Sequence, residues 1–167
     1  MIFKTFEDLF QLGMARNVCI KHTSCDRLIK LNLGGGNKQI AGTTNLDLPG
    51  WDAECMPIPL QDESVGEIFA FHFFEHLNNT TAVLKECQRV LSTGGLINIV
   101  VPYYKSQMAY HDLTHKHFFT ESTFSNLFDN SYYSSSEKKG WKLEIEFCMI
   151  VGVVERNLCL IVQLRKL

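Results

Sequence analysis

Ile29-Lys30-Leu31-Asn32-Leu33-Gly34-Gly35-Gly36 decides how this chain is read. Ile29, Leu31 and Leu33 alternate with Lys30 and Asn32 at the period of a strand, and the strand runs straight into three glycines. Thr44 to Leu48 reads as a second short strand, stopped by Pro49-Gly50, and Glu67-Ile68-Phe69-Ala70-Phe71 is apolar enough for a buried one. Asn79 or Thr80 then caps a helix whose Val83, Leu84, Cys87, Val90 and Leu91 share one face. Ser92-Thr93-Gly94-Gly95 stops it, and Leu96 to Val101 forms a further strand closed by Pro102. Strand, helix and strand in that order make a βαβ unit and therefore a parallel sheet.

The flanks complete the outline. Phe3, Phe6, Leu9 and Phe10 lie at helical spacing behind Thr5. Trp141, Leu143, Ile145, Phe147, Met149 and Val151 keep a period of two, and Leu158, Leu160, Val162 and Leu164 repeat it, which predicts an antiparallel hairpin turning near Gly152. Between sheet and hairpin lies an aromatic, His-rich connection from Tyr103 to Tyr133, with a helix from Thr120 through Phe124, Leu127 and Phe128. The expectation is a single α/β domain over residues 1–167, Rossmann-like: a mostly parallel sheet, helices on both faces and a C-terminal antiparallel hairpin. The helices between the first three strands are abbreviated, because Gly36 and Asp47 stand too close for a full one and Asp47 and Asp52 closer still.

Composition narrows the class. A chain of 167 residues, 46% apolar, builds a core without disulfides or metals. Sixteen basic against 18 acidic residues, a net charge of −2, argue against a non-specific nucleic-acid partner. Cys19, Cys25, Cys55, Cys87, Cys148 and Cys159 follow no framework spacing and read as reduced thiols. Glu7 and Asp8 near the start, with no sustained apolar run, predict no signal peptide, and no stretch approaches the ~20 apolar residues of a membrane span. A cytoplasmic protein without a membrane partner is expected. The oligomeric state is not assigned.

Glycines at a strand end let backbone N–H groups approach a ligand and permit positive φ. Asp47, ending the next strand, is able to accept hydrogen bonds from two ribose hydroxyls. A phosphate-binding P-loop is excluded, since no Lys-Ser/Thr follows, and the dinucleotide G-x-G-x-x-G fails at Gln39. The plainer alternative is a tight turn and a solvated Asp. His72-Phe73-Phe74-Glu75-His76 fits H-x-x-E-H, a zinc-hydrolase motif when both His lie on one helix, but here His72 directly follows a strand. A third ligand would come from Glu144 or Glu146. Cys19, His22 and Cys25 are a second, incomplete metal set, and no resident metal is assigned.

Four ordered pieces resemble class I S-adenosylmethionine-dependent methyltransferases, nearest to the small methyltransferase-11 type: Leu31 to Gly36, Asn45-Leu46-Asp47, Phe71 to Leu77, and Leu84 to Leu91 followed by Gly94-Gly95. The resemblance spans about residues 28–122, and the family's terminal antiparallel hairpin fits the two period-two runs after it; against the family's pattern, residues 37–66 form a trimmed half with the third strand reduced or absent. It implies S-adenosylmethionine as cofactor, with Gly34, Gly35 and Gly36 turning beside the methionine moiety and Asp47, with Leu48 next to it, at the ribose. Asp52 and Ala53 resemble the pair that contacts adenine, although Ile58-Pro59-Leu60 permits a shifted register. His72 and Phe73 would border cofactor and acceptor. His111 to Thr120 resembles the family's D-P-T-H-x-R-x-F-T segment, with Leu113 in place of Pro. There His115, oriented by Asp112, suits a general base for a hydroxyl acceptor, the alternative being a loop pinned by hydrogen bonds. Tyr103, Tyr104, Tyr110, Phe118, Phe119 and Phe124 are candidates for the wall of an acceptor pocket, some of them serving the core instead. The implied activity is methyl transfer to a small-molecule or glycan-like acceptor. A non-catalytic binding module and the zinc hydrolase are the alternatives, and a dehydrogenase lacks its third glycine.

Overall fold

The computed structural model describes residues 28–37, 40–128, 140–152 and 157–167. Six strands form one sheet: β1 Ile29–Leu33, β2 Thr44–Leu46, β3 Val65–Phe71, β4 Leu91–Pro102, β5 Leu143–Val151 and β6 Cys159–Lys166, in the spatial order β2-β1-β3-β4-β6-β5. The first four are mutually parallel, and β6 runs antiparallel to both β4 and β5. The mostly parallel Rossmann-like sheet with its terminal hairpin is thus as expected. Two helices are described, α1 Thr80–Val90 and α2 Ser122–Phe128. The helix expected over Phe3 to Phe10 and the cluster Cys19, His22 and Cys25 lie outside the described residues, as does the tip of the hairpin.

Local chemistry explains the elements. The Asn79 side chain caps α1 by accepting from Ala82 N–H at 3.0 Å. Val83, Leu84, Cys87 and Val90 supply the buried face of α1. That face joins Leu31 and Leu33 of β1, Ile68 and Ala70 of β3, Ile97, Ile99 and Val101 of β4, and Phe124 of α2 in the main core. Leu91 already pairs with Val65, and the β3–β4 ladder resumes at Glu67–Leu96, so residues 92–95 bulge out between them. Gly94 takes φ +77° there, while a Cβ on Gly95 would press on Leu91 Cγ at 2.7 Å and Ser92 O at 2.8 Å. Both glycines are needed to turn the chain this tightly from helix to strand.

The segment from Asp47 to Ser64 carries neither helix nor strand, so the third strand of the expected pattern is absent. Arg89 of α1 ties this irregular stretch down. It donates to Ile58 O at 2.9 Å, Leu60 O at 3.0 Å and the Asp62 carboxylate at 2.7 Å, and it pairs with Glu86, whose Oε2 accepts from Ile58 N–H at 3.1 Å. One guanidinium therefore replaces a missing layer of secondary structure.

The other face of the sheet departs from its sequence pattern. Lys30, Glu67, Asn98 and Gln163 sit at polar positions of alternating strands, yet Glu67, Asn98 and Gln163 are each 0% exposed. They form a row: Lys30 Nζ to Glu67 Oε2 at 3.1 Å, Asn98 Nδ2 to Glu67 Oε1 at 3.0 Å, and Gln163 Nε2 to Asn98 Oδ1 at 2.7 Å. Such a row specifies strand register, because a one-residue slip would strand each partner.

Arg89→Met is expected to cost about 2 kcal/mol, the scale of losing hydrogen bonds from a partly buried charge, and so to lower Tm by roughly 4–8 °C. Its bond to Arg89 holds the Glu86 carboxyl below the ordinary Glu range. That contribution is present above the unfolded-state pKa and is lost as pH falls through the native one, so the variant's stability should decline less on acidification. Thermal melts of both proteins between neutral and acid pH measure both effects; an unchanged Tm would contradict the assigned role.

Candidate active site

Residues read as cofactor-binding converge at the carboxyl edge of β1, β2 and β3. Gly34 leaves β1 at φ +66° and donates its N–H to Leu46 O at 2.9 Å. A Cβ at Gly34 would strike the Phe73 ring, with Cγ at 3.0 Å, Cβ at 3.1 Å and Cδ2 closer still. Glycine is therefore demanded twice here, by φ and by the aromatic neighbour. Gly36, at φ +53°, donates its N–H to Asp47 Oδ2, and Asp47 Oδ1 accepts from Leu48 N–H at 2.8 Å. The loop between β1 and β2 is thus closed by one carboxylate.

Trp51 completes this half of the site and was not singled out in the sequence. Its N–H donates to Asp47 O at 3.0 Å, its indole to Pro57 O at 3.0 Å, and its ring stacks on Phe73 with centroids 6.4 Å apart. A lone Trp in a Pro-punctuated loop carried no periodic signal. Asp52 caps the following turn, Oδ1 accepting from Glu54 N–H at 2.9 Å and the carbonyl from Met56 N–H at 2.8 Å. Ala53 packs against the main core, and Leu48 is exposed.

His72 leaves β3 at φ +53°, donating its backbone N–H to Val100 O at 2.8 Å. Phe74–His76 then form a single 3-10 turn. His72 and His76 consequently share no helical face, and the inverted zinc-peptidase arrangement is not built. His72 Nδ1 instead lies 3.2 Å from Oε1 of the buried Glu75. Burial opposes the imidazolium, but hydrogen bonds to Cys159 and Glu75 outweigh it and raise the His72 pKa to about 9. Glu144 and Glu146, the suggested third ligands, both face Arg165.

The 111–117 loop docks on this turn through Lys116 N–H to Glu75 O at 2.7 Å. It brings the His115 ring against that of His76, centroids 4.9 Å apart and nearly perpendicular. His115 Nδ1 is held by Ala109 O at 3.1 Å, whereas its Nε2 lies 3.9 Å from Asp112 Oδ2, beyond hydrogen-bond range. Asp112 shapes the loop instead: Oδ1 accepts from Thr114 N–H at 2.8 Å and from its hydroxyl at 2.7 Å. Those bonds hold its carboxyl below the usual range. Of the six aromatic candidates, Tyr103, Phe119 and Phe124 are core residues, while Tyr110 and Phe118 stack at 4.8 Å and are 59% and 50% exposed.

The methyltransferase-domain family model matches residues 17–99. Solved structures of S-adenosylmethionine-dependent methyltransferases share the fold. Those from Methanosarcina mazei (15% identity, 86% of this chain and 94% of that one, TM-score 0.60) and Archaeoglobus fulgidus (15%, 84% and 87%, TM-score 0.59) are two. A third comes from Aquifex aeolicus (14%, 84% and 82%, TM-score 0.57). No curated sequence is significantly similar. The matched residues and the shared fold support a class I S-adenosylmethionine-dependent methyltransferase, with S-adenosylmethionine as cofactor.

Gly34→Ala should destabilise the protein by about 1–3 kcal/mol through left-handed backbone strain and the clash with Phe73. The same substitution in a Phe73→Ala background should cost less. A double-mutant cycle by chemical denaturation reads the difference, and strict additivity would show that the ring is not the obstacle.

Proposed function

We propose that the chain methylates a hydroxyl of a small-molecule or glycan-like acceptor, using S-adenosylmethionine bound at the edge formed by Gly34 to Gly36, Asp47, Leu48, Asp52, Ala53, His72 and Phe73. The observation that carries the reading is the joint closure of this edge by Asp47 on Gly36 and by Phe73 on Gly34. A Cβ at Gly36 would meet nothing nearer than Asp47 Oδ2 at 3.9 Å, so its backbone stays approachable. Each Asp47 oxygen accepts one backbone N–H and retains a lone pair for a ribose hydroxyl. The Trp51–Phe73 stack offers a flat apolar flank. These features fit the cofactor.

The bound cofactor supplies a methyl group already activated by its sulfonium, which leaves alignment and proton removal to the protein. His115 is the proton acceptor in this reading: its Nδ1–H is engaged by Ala109 O, so Nε2 carries the lone pair. Exposed Tyr110 and Phe118 beside this polar cluster suit a sugar-like acceptor, with an apolar face and hydroxyl edges.

Calorimetry with S-adenosylhomocysteine tests the cofactor site. Wild type should bind, and Asp47→Ala should bind at least ~10-fold more weakly, as loss of a charged hydrogen-bond acceptor implies. Absence of binding by well-folded wild-type protein would overturn the reading. In an acceptor screen followed by S-adenosylhomocysteine release, His115→Ala should lower turnover by about 100-fold or more while leaving nucleoside affinity unchanged; undiminished turnover removes His115 from the chemistry.

A further inference from the structure

We propose that Glu75, His76 and His115 form a divalent transition-metal site, two imidazoles and one carboxylate, with positions left open for an oxygen of the methyl acceptor. One ligand atom from each of the three residues lies within 4.8 Å of the others. Metal bonds of about 2.0–2.2 Å bring such atoms to within about 3.5 Å of one another, so closure requires a shift of about 1 Å. Two separate elements build the cluster, the 3-10 turn after β3 and the 111–117 loop. Their relative position is fixed by the Lys116–Glu75 backbone bond together with the Thr114–His76 side-chain contact.

The hydrogen bonds set both imidazoles in a metal-binding tautomer. His115 donates Nδ1–H to Ala109 O. Thr114 gives its one hydroxyl proton to Asp112 Oδ1, so at 2.9 Å from His76 Nδ1 it acts as acceptor, and that nitrogen too carries the proton. Nε2 of each ring is left with its lone pair. A carbonyl behind one ring and a carboxylate-backed hydroxyl behind the other are the outer contacts that orient metal-bound His.

Glu75 supplies the independent observation. The residue is 1% exposed, Oε1 is clamped by His72, and Oε2 is buried with no hydrogen-bond partner. A buried carboxyl oxygen left without a partner costs free energy, and a ligand that engages it removes that cost. Mixed imidazole and carboxylate donors suit Zn, Mn, Fe, Co or Ni more than Ca or Mg, and three protein ligands leave room for another. The acceptor half of the proposal rests on the methyltransferase reading above; the metal half does not. With a cation bound, His115 acts as ligand and the cation lowers the pKa of the acceptor hydroxyl. The O–H proton passes to bulk water, the oxygen pair forms the O–CH3 bond, and the S–CH3 pair remains on sulfur.

The test is a Co(II) titration of the full chain after chelator dialysis, followed by visible ligand-field absorption, with S-adenosylhomocysteine calorimetry on the same samples. One saturable equivalent is expected in wild type. His76→Ala and His115→Ala should each bind Co(II) at least ~10-fold more weakly while keeping their melting transition and nucleoside affinity, and Thr114→Val should show a smaller loss. Because Glu75→Gln alters a buried group and risks misfolding, the two His variants decide. No saturable Co(II) binding by wild type, or binding indifferent to both His substitutions, overturns the site. Wild type that binds S-adenosylhomocysteine but not Co(II) overturns the metal alone. His-dependent Co(II) binding without nucleoside binding supports the metal and overturns the cofactor reading.

Discussion

The approach of the Phe73 ring to Gly34 is the constraint from which the site follows. It extends the contact between β1 and β3 past the Leu33–Ala70 pair that ends their ladder, and it leaves no room for a side chain on the first glycine. With Phe73 so placed, the backbone before it bends through His72 at positive φ, and the residues after it enter the 3-10 turn that buries Glu75 and presents His76. Trp51 stacks on the same ring and ties the 47–57 loop to it. One aromatic residue thereby links the glycine edge of β1 to the turn that carries the histidine cluster.

A shortened chain has to replace what it lacks. With no strand between Leu46 and Val65, an irregular segment covers that side of the sheet, and irregular backbone needs partners for its carbonyls. Arg89 provides them from the last turn of a packed helix, where its neighbours Val90 and Cys87 are held on the buried face. Glu54 performs a similar task at the other end, accepting from Asn78 N–H. Arg89 on the helix and Glu54 within the segment itself thus tie down the loop that flanks the site.

Much of the fold was legible in local patterns. The alternation before Gly34, the Asn79 cap and the two period-two runs at the C-terminus each correspond to an observed element, because each is governed by contacts within a few residues. The helix, however, ends at Val90 and β4 begins at Leu91, so that Gly94-Gly95 form a bulge within the strand rather than the helix stop. The order of motifs along the chain pointed to the cofactor edge for the same reason. The polar row was not legible: Lys30, Glu67, Asn98 and Gln163 alternate with apolar residues as exposed positions do, and only the pairing of β1, β3, β4 and β6 shows that they satisfy one another in the interior. The pairing of Glu75 and His76 with His115 was hidden in the same way. In the sequence Asp112 looked like the direct support of His115, and a carbonyl takes its place. That His72 and His76 share no helical face was legible from the strand before His72, and the 3-10 turn agrees.

The sequence by itself determined the strands, the capped helix, the glycine turn and the acidic residue after β2, since these depend on rotamers, φ preferences and hydrophobic period over short spans. The tertiary structure alone decided which polar groups are buried, which histidines meet and what each ring nitrogen faces. Those outcomes depend on strand order and on a loop docking through its backbone, where neighbours distant in the chain set burial and hydrogen bonding, and no local pattern encodes them.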